Sequence, residues 1–160
     1  MIKMIKIRIA IIALVSLFAL TFLLFPVIVQ KNGDNIVVSV GSRVKIGDAS
    51  FNVTVADTPN KRTKGLSGRK ELSPDKGLIF VFEKSGIYPF WMKDMNFPID
   101  IIWIDEGLRV VYVKENATPK SYPKTFTPNT PSLYVLEVNT GVIAKKKIKI
   151  GDEVFIDLEQ

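Results

Sequence analysis

The sequence contains no histidine and no cysteine. The missing histidine excludes Ser-His-Asp triads and Cys-His pairs, and the missing cysteine excludes thiol redox sites and lipoprotein anchors. Ordinary zinc sites need one or both residue types and are excluded as well. Any catalysis must therefore use carboxylates, Lys, Tyr, Ser or Thr. We predict no cofactor and no metal site, although oxygen ligands for hard cations are present.

A strong excess of one charge is also missing from most of the chain. The net charge is +6, of which Lys3, Lys6 and Arg8 supply +3 without any nearby acid. The other residues carry 19 basic groups (22 − 3) and 16 acidic groups, a net of only +3. This mild excess is typical of a solvated surface, and no nucleic-acid motif accompanies it. We predict no nucleic-acid partner.

One long apolar segment stands out near the N-terminus. Residues 9–29 are 21 positions whose only polar members are Ser16 and Thr21. A helix of that length spans roughly 31 Å, close to the ~30 Å hydrocarbon core of a bilayer. The pattern predicts a transmembrane helix or uncleaved signal anchor, and the alternative is a cleaved signal peptide, although no small-x-small cleavage site follows.

The apolar segment sets the predicted domain organisation. Residues 1–8 form a cytoplasmic basic N-terminus, and residues 30–41 form a linker with one short strand at 36–40. Basic residues before a membrane segment favour a cytoplasmic N-terminus, which places residues 42–160 outside the cytoplasm. We therefore predict a single-pass membrane protein, bound to the membrane through residues 9–29, with an extracytoplasmic β domain.

The β domain is predicted from alternation and turn signals. Phe51, Val53 and Val55 alternate with polar residues after the turn residues at 47–48, which is typical of a hairpin. Thr58 and Pro59 suit the start of a short helix that ends near Gly65. Apolar residues at 78–82 indicate a central strand covered on both faces.

The remaining elements of the domain are predicted from the same alternation and turn signals. We predict strands at 133–138 and 152–158, a short helix over 140–147 and a long loop at 116–131 that contains four prolines. Loops of that length in compact domains are usually functional or loosely ordered. The overall prediction is a mainly β fold, an antiparallel β-sandwich or barrel with two short helices.

The segment 90–105 holds both tryptophans, and its pattern predicts two strands joined by a corner. In the second strand Ile99, Ile101 and Trp103 share one face, while Asp100 lies on the other. If the two strands pair, Lys93 and Asp100 come within reach of each other. This contact is either a structural ion pair or part of a polar site.

Several ordered motifs resemble the domain of unknown function 192 family. They are Phe90-Trp91-Met92-Lys93, Pro98-Ile99-Asp100-Ile101-Ile102-Trp103-Ile104-Asp105, Ala56-Asp57-Thr58-Pro59, Gly65-Leu66 with Arg69, Gly77-Leu78-Ile79-Phe80-Val81-Phe82, Tyr134-Val135-Leu136-Glu137 and Ile150-Gly151-Asp152. The resemblance implies a compact, mostly β domain of bacteria and archaea, often secreted or membrane-anchored, with no established activity. Three positions depart from the family pattern. Asp94 stands where the family usually has Asn, and Asn60 and Lys61 stand where it usually has acids.

The densest mixture of aromatic and charged residues lies around this corner. Trp91 beside Lys93 on one strand face suits stacking on a sugar ring or another flat ligand. Glu137, between two apolar neighbours, is either on a solvated face or a buried acid paired with Arg69 or Lys93. The predicted ligand site consists of Arg69, Trp91, Lys93, Asp94, Asp100 and Glu137.

These residues favour a binding module over an enzyme. The expected ligand is a saccharide or a protein of the cell envelope. One alternative is a small hydrolase that uses Asp100 and Glu137, which requires their carboxyl groups within roughly 10 Å in one pocket. Another is a structural accessory subunit of a membrane complex, which an exposed apolar patch would favour.

Overall fold

The computed structural model describes residues 29–32, 35–38 and 41–159. Contacts divide the chain into Met1–Val40 and Gly41–Gln160, and each unit is described by itself. In the first unit, strands β1 (Val29–Asn32) and β2 (Asn35–Val38) form an antiparallel hairpin. The predicted membrane segment lies outside the described residues except for Val29, which begins β1. No helix within the described ranges is long and apolar enough to cross a membrane.

The second unit is mainly β, as predicted. Its strands are β3 (Arg43–Ile46), β4 (Ala49–Ala56), β5 (Lys76–Gly86), β6 (Phe90–Trp91), β7 (Ile99–Ile104), β8 (Val110–Ala117), β9 (Thr125–Phe126), β10 (Ser132–Asn139) and β11 (Val154–Asp157). Its helices are α1 (Pro59–Lys64) and α2 (Val142–Lys146), with one 3-10 turn at Pro119–Ser121. The two predicted short helices and the central strand are therefore confirmed.

Seven strands form one sheet in the order β11-β3-β4-β5-β10-β7-β8, while β6 and β9 pair separately. All neighbours in the large sheet are antiparallel except β4 and β5, which are parallel. The predicted two-sheet sandwich is wrong, and so is the purely antiparallel arrangement. The crossover through α1 returns the chain to the end of the sheet where β4 began, so β5 runs in the same direction as β4.

The large sheet curls so that its two edge strands approach each other. The Val110 N–H donates to the Asp152 carbonyl (3.0 Å), and the Val154 N–H donates to the Leu108 carbonyl (2.8 Å). These bonds join the start of β8 to the start of β11. The result is a half-barrel, which agrees with the barrel alternative of the sequence prediction.

Both faces of the half-barrel are apolar, and each has its own core. The inner core contains Val44, Ile46, Phe51, Ile79, Ile102, Ile104, Leu136 and Val138, together with Ile143 from α2. The outer core contains Leu66, Leu78, Phe80, Met92, Ile99, Ile101, Trp103, Phe126 and Val135. All six residues of β7 are buried because the strand contributes to both cores. The outer face of the sheet is therefore covered rather than solvated.

Helix α1 follows the predicted signals closely. The Lys61 N–H donates to Thr58 Oγ1 (3.3 Å), Pro59 occupies the first turn, and Gly65 ends the helix with φ 47°. Arg62 Nη1 donates to the carbonyl oxygens of Asp57 (2.7 Å) and Val81 (2.9 Å). The second bond ties α1 to β5 and fixes the helix over the outer face of the sheet.

Candidate functional site

A pocket of about 250 Å³ lies between α1, the loop after it, β6 and the outer face of the sheet. Its walls are mostly aromatic rings and aliphatic stems, with cationic groups around its opening. The lining residues are Arg62, Thr63, Lys64, Gly65, Leu66, Ser67, Phe80, Phe82, Tyr88, Pro89, Phe90, Trp91, Lys93, Met95 and Glu137. Three of the six predicted site residues are therefore here, namely Trp91, Lys93 and Glu137.

Glu137 is the acidic group of this pocket. It lies on β10 between Leu78 of β5 and Ile101 of β7, and it is only 5% exposed. Its Oε2 atom is buried and has no hydrogen-bond partner among the described residues. Burial raises the pKa of Glu137 from 4.5 to about 8, against a smaller lowering by the charge of Arg69. The carboxyl group is therefore mostly protonated at neutral pH, a form that can both donate and accept hydrogen bonds.

Placing Glu137 on a solvated face, the first of the two sequence interpretations, is wrong. Alternation along β10 puts Leu136 and Val138 on one face and Glu137 on the other, which suggests a wet outer face. In the structure α1 and β6 cover that outer face, so Glu137 is enclosed with Val135 and Trp103 nearby in the sheet. The second interpretation, a buried acid, is correct, but neither Arg69 nor Lys93 forms an ion pair with it.

Trp91 forms one edge of the pocket and is 51% exposed. Its ring packs edge-on against Tyr122, with 5.8 Å between ring centroids, and Lys93 Nζ lies 6.0 Å from its centroid. Tyr122 comes from the long proline-containing loop, which is held here because β9 pairs with β6. The flat face of Trp91 is thus positioned by its neighbours but still reachable from solvent.

Asp94 lines a groove of about 620 Å³ that adjoins the pocket. The groove shares Lys64, Trp91 and Lys93 with the pocket. Asp94 adopts a left-handed conformation (φ 56°), and its carbonyl accepts the Gly68 N–H at 2.8 Å. Asn and Asp tolerate this conformation better than most residues do. The backbone therefore accepts either Asp94 or the Asn that the resemblance leads one to expect.

Arg69 does not line the pocket but borders a neighbouring cleft that also contains Lys64 and Leu78. Its carbonyl accepts a bond from Asn96 Nδ2 (2.8 Å), which joins the loop after α1 to the segment after β6. Its guanidinium acts on the pocket through the electrostatic effect on Glu137. Arg69 is thus adjacent to the site rather than part of its wall.

Asp100 faces the opposite side of the sheet and does not join the other predicted residues. Its Oδ1 accepts the Asn116 N–H and its Oδ2 accepts the Ile143 N–H, both at 2.9 Å. The predicted approach of Lys93 and Asp100 is also wrong, because β6 pairs with β9 instead of β7. Asp100 is a structural residue that fixes the start of α2.

The predicted hydrolase requires the Asp100 and Glu137 carboxyl groups in one pocket, and the position of Asp100 does not meet this requirement. Asp100 and Glu137 lie on adjacent strands but point to opposite faces, so their carboxyl groups do not share a pocket. Among the residues with described side chains, no three acidic groups lie close enough to hold a metal ion.

Sequence reasoning did not identify several residues that complete the pocket. Lys64 and Arg62 come from α1, and Tyr88 stacks on Phe82 with 3.5 Å between ring centroids. A basic last turn on α1 was visible in the sequence, but its proximity to Trp91 depends on the folding of the crossover over the sheet. No local pattern predicts that proximity.

The fold and the pocket define a small, mainly β domain with a pocket of about 250 Å³ on the covered outer face of a half-barrel. The profile of the DUF192 family, described as "Uncharacterized ACR", matches residues 42–156. The chain belongs to this family, which confirms the resemblance noted in the sequence. The family is uncharacterised, so membership does not supply an activity.

Curated relatives have similar sequences. A UPF0127 protein of Thermococcus kodakarensis is 32% identical over 105 residues, which are 62% of this chain and 61% of that protein. A UPF0127 protein of Thermococcus sibiricus is 30% identical over 115 residues, 68% of each chain. The matched part of the chain thus spans less than two thirds of the length of the first relative.

Solved structures with the same fold also exist. A Sinorhizobium meliloti crystal structure, described as a candidate transcription regulator, has a TM-score of 0.68 and 28% identity over 74% of this chain and 97% of that one. A Novosphingobium aromaticivorans protein of unknown function has a TM-score of 0.67 and 30% identity. The similarity covers 81% of this chain and 94% of that one. Both similarities extend over nearly the whole of the solved chains.

Proposed function

We propose that this protein is a binding module for a saccharide of the cell envelope, with the Glu137 pocket as its site. The observation that carries the proposal is the buried carboxyl group of Glu137, which lines the pocket and has an oxygen without a partner. A buried polar group without a hydrogen bond costs about 1–3 kcal/mol. A ligand hydroxyl that reaches Glu137 recovers this energy, so the bare protein is prepared for a polar ligand.

Sugars match the walls of the pocket as well as its acid. A pyranose ring presents C–H groups on its faces and hydroxyl groups on its edge. The faces suit contact with Trp91 and Phe90, and the edge suits a neutral carboxyl that donates and accepts. The exposed ring of Trp91 needs little rearrangement before it stacks, because Tyr122 already holds it from one side.

The dimensions favour one sugar unit in the pocket and further units outside it. Typical small-molecule pockets enclose about 300–1,000 Å³, and this one encloses about 250 Å³. The adjoining groove shares six of its eight lining residues with the pocket, so it continues from the same opening. A short oligosaccharide therefore fits this surface better than a single sugar does.

The location of the protein is a separate part of the proposal. We propose that residues 9–29 hold the chain in the cell membrane with residues 42–160 outside the cytoplasm, where envelope glycans are present. The support is the length and apolarity of that segment and the basic residues before it. Membrane fractionation and protease treatment of spheroplasts test this arrangement. Recovery of the chain in the soluble fraction would contradict it.

The experiment for the binding function uses the full chain and a panel of envelope oligosaccharides. Dissociation constants are measured by titration calorimetry for the wild type, Trp91→Ala and Phe155→Ala. Phe155 is a matched control because it is an aromatic residue, is 61% exposed and lies on β11, outside the pocket lining. Truncation of an anchoring aromatic typically costs about 2 kcal/mol, so Trp91→Ala should weaken binding about thirtyfold.

The outcomes separate the proposal from its alternatives. Binding that is lost in Trp91→Ala and kept in Phe155→Ala supports a saccharide site at the pocket. Binding that both variants retain would place the ligand elsewhere. If no saccharide of the panel binds and an envelope protein does, the saccharide assignment is wrong.

A further inference from the structure

The opening of the pocket carries cationic groups that form no ion pair with a carboxylate of the described residues. Ion pairs within residues 41–159 are Lys61–Asp57, Arg109–Glu153 and Lys149–Asp152. Lys64 and Lys93 belong to none of these pairs, and both line the pocket and the groove. Two ammonium groups thus border the place where a ligand enters, and both are free to contact it.

The nearby arginines add positive charge but, unlike Lys64 and Lys93, are not the groups that contact the ligand. Arg62 Nη1 is engaged by two backbone carbonyls, and the guanidinium lies 5.3 Å from the ring centroid of Phe82. Arg69 borders the next cleft beside Lys64. The two arginines therefore raise the local positive potential, while Lys64 and Lys93 remain the groups that can reach a ligand.

Acidic groups offset only part of this charge. The pocket contains one acid, Glu137, which is mostly protonated there, and the groove contains one, Asp94, which is exposed. Lys93 Nζ remains near the Trp91 ring, and Lys64 Nζ lies over Gly68. The surface around a bound sugar is therefore cationic at its rim and neutral at the buried acid.

We propose that the bound saccharide is anionic and that its carboxylate or phosphate group lies between Lys64 and Lys93, while a neutral hydroxyl of the same ligand bonds Glu137. This inference rests on the proposed function and specifies the ligand class. Carboxylates and phosphates share the chemistry that ammonium groups recognise, namely negative oxygens that accept charge-assisted hydrogen bonds. A neutral Glu137 matters here, because an ionised carboxylate in the same pocket would repel the ligand.

Asp94 gives the proposal a sharp internal test. It is the one acid among the groove-lining residues, and Asn tolerates its left-handed backbone. Asp94→Asn therefore removes a negative charge next to the ligand without disturbing the fold. The substitution should strengthen the binding of an anionic saccharide more than it changes the binding of a neutral one.

The experiment compares three oligosaccharides of equal length with the full chain. One is neutral, one contains uronate units and one carries phosphate groups. Proteins tested are the wild type, Lys64→Gln, Lys93→Gln, Asp94→Asn and the control Lys45→Gln, whose lysine lies on β3 outside the pocket and groove linings. Titrations at low and at high salt complete the design, since exposed charge interactions weaken with ionic strength.

We expect tighter binding of an anionic saccharide than of the neutral one, with weaker binding at high salt. Each lysine variant should lose about two- to fivefold in affinity for the anionic saccharide, the range of exposed charge pairs. Asp94→Asn should gain about twofold, and Lys45→Gln should match the wild type. Whichever of the uronate and phosphate ligands binds more tightly identifies the source of the anionic group.

Two different failures are distinguishable. If the neutral saccharide binds as tightly as both anionic ones, or if the lysine and Asp94 variants behave as the wild type does, the anionic assignment is wrong and the saccharide function stands. If no saccharide of the three binds, the anionic assignment and the proposed function both fail.

Discussion

The substitution Glu137→Gln gives the most informative test of how one buried acid affects the stability of the domain. The two side chains have nearly the same shape, but only Glu137 can ionise. Burial raises the folded-state pKa of Glu137 from 4.5 to about 8, and Arg69 offsets part of that effect. The substitution therefore isolates the free energy that this one titration adds to the unfolding equilibrium.

The magnitude follows from linkage between proton binding and folding. One pKa unit corresponds to about 1.4 kcal/mol, so the change from 4.5 to about 8 amounts to about 5 kcal/mol. Below pH 4.5 both states hold the proton, and the titration does not alter stability. Between pH 4.5 and about 8 the unfolded carboxyl loses its proton while the folded one retains it, so stability falls as pH rises. Above that range both states are ionised, and the free energy of unfolding no longer changes through this titration.

Urea denaturation at half-unit steps from pH 5 to pH 9 measures this effect. The buried Trp103 reports unfolding in the wild type and in Glu137→Gln. The wild-type free energy of unfolding should fall relative to the variant by about 1.4 kcal/mol per pH unit up to pH 8. Asp57 and Asp152 do not interfere, because Lys61 and Lys149 hold their pKa values below 3.8 and their contributions are lost only in stronger acid.

Parallel curves for the two proteins would show that the titration of Glu137 does not affect stability. They would mean that Glu137 has the same pKa in the folded and unfolded states, so that water or a charge reaches the carboxyl group. The pocket would then lack the neutral acid on which the binding proposal depends.

Two further substitutions test the framework that holds the pocket. Asp100→Ala removes the acceptor of two N–H groups, at Asn116 and Ile143. This substitution should lower the free energy of unfolding by about 3 kcal/mol. Asp100→Asn keeps one carbonyl acceptor and should lower it by less. Gly77→Ala would place a Cβ atom 3.1 Å from the Glu137 carbonyl oxygen; this overpacking should cost about 1–3 kcal/mol. Urea denaturation checks both, and wild-type stability in either variant would contradict the corresponding contact.

The helix before the pocket could be predicted because its signals are local. Thr58, Pro59 and Gly65 each act on the adjacent backbone, as an N-cap, a first-turn residue and a C-cap. The alternation of β7 was equally readable, since Ile101 and Asp100 were assigned to opposite faces and lie on opposite faces in the structure. These features depend on interactions over a few residues, which a single sequence displays.

The arrangement of the strands was not readable in the same way. Periodicity assigns faces to a strand but does not fix its direction, so the parallel pairing of β4 and β5 was missed. The separation of β6 from β7 was missed for a related reason, since the partner of β6 lies in the long loop near Phe126. This error placed Lys93 beside Asp100, which the structure does not support.

Which residues meet at the pocket depends on the segments that cover the outer face of the sheet, and a single sequence does not show that covering. Alternation suggested that Glu137 was solvated, because it could not show that α1 and β6 lie over β10. Lys64 and Tyr122 became neighbours of the Trp91 region only through the crossover and the long loop. Trp91 and Lys93 both line the pocket, but the prediction that they share a strand face is wrong, because β6 ends at Trp91 and Lys93 lies in the turn after it.

Carboxyl ¹³C NMR of Glu137 is a direct test of whether this pocket binds the ligand. The resonance is assigned by its disappearance in Glu137→Gln and followed at pH 6.5 as the saccharide with the highest affinity is added to the full chain. If the ligand occupies the pocket, the Glu137 signal should shift in proportion to the bound fraction, while the signal of the exposed Glu153 stays in place. A Glu137 signal that does not move while the ligand is saturating would contradict it.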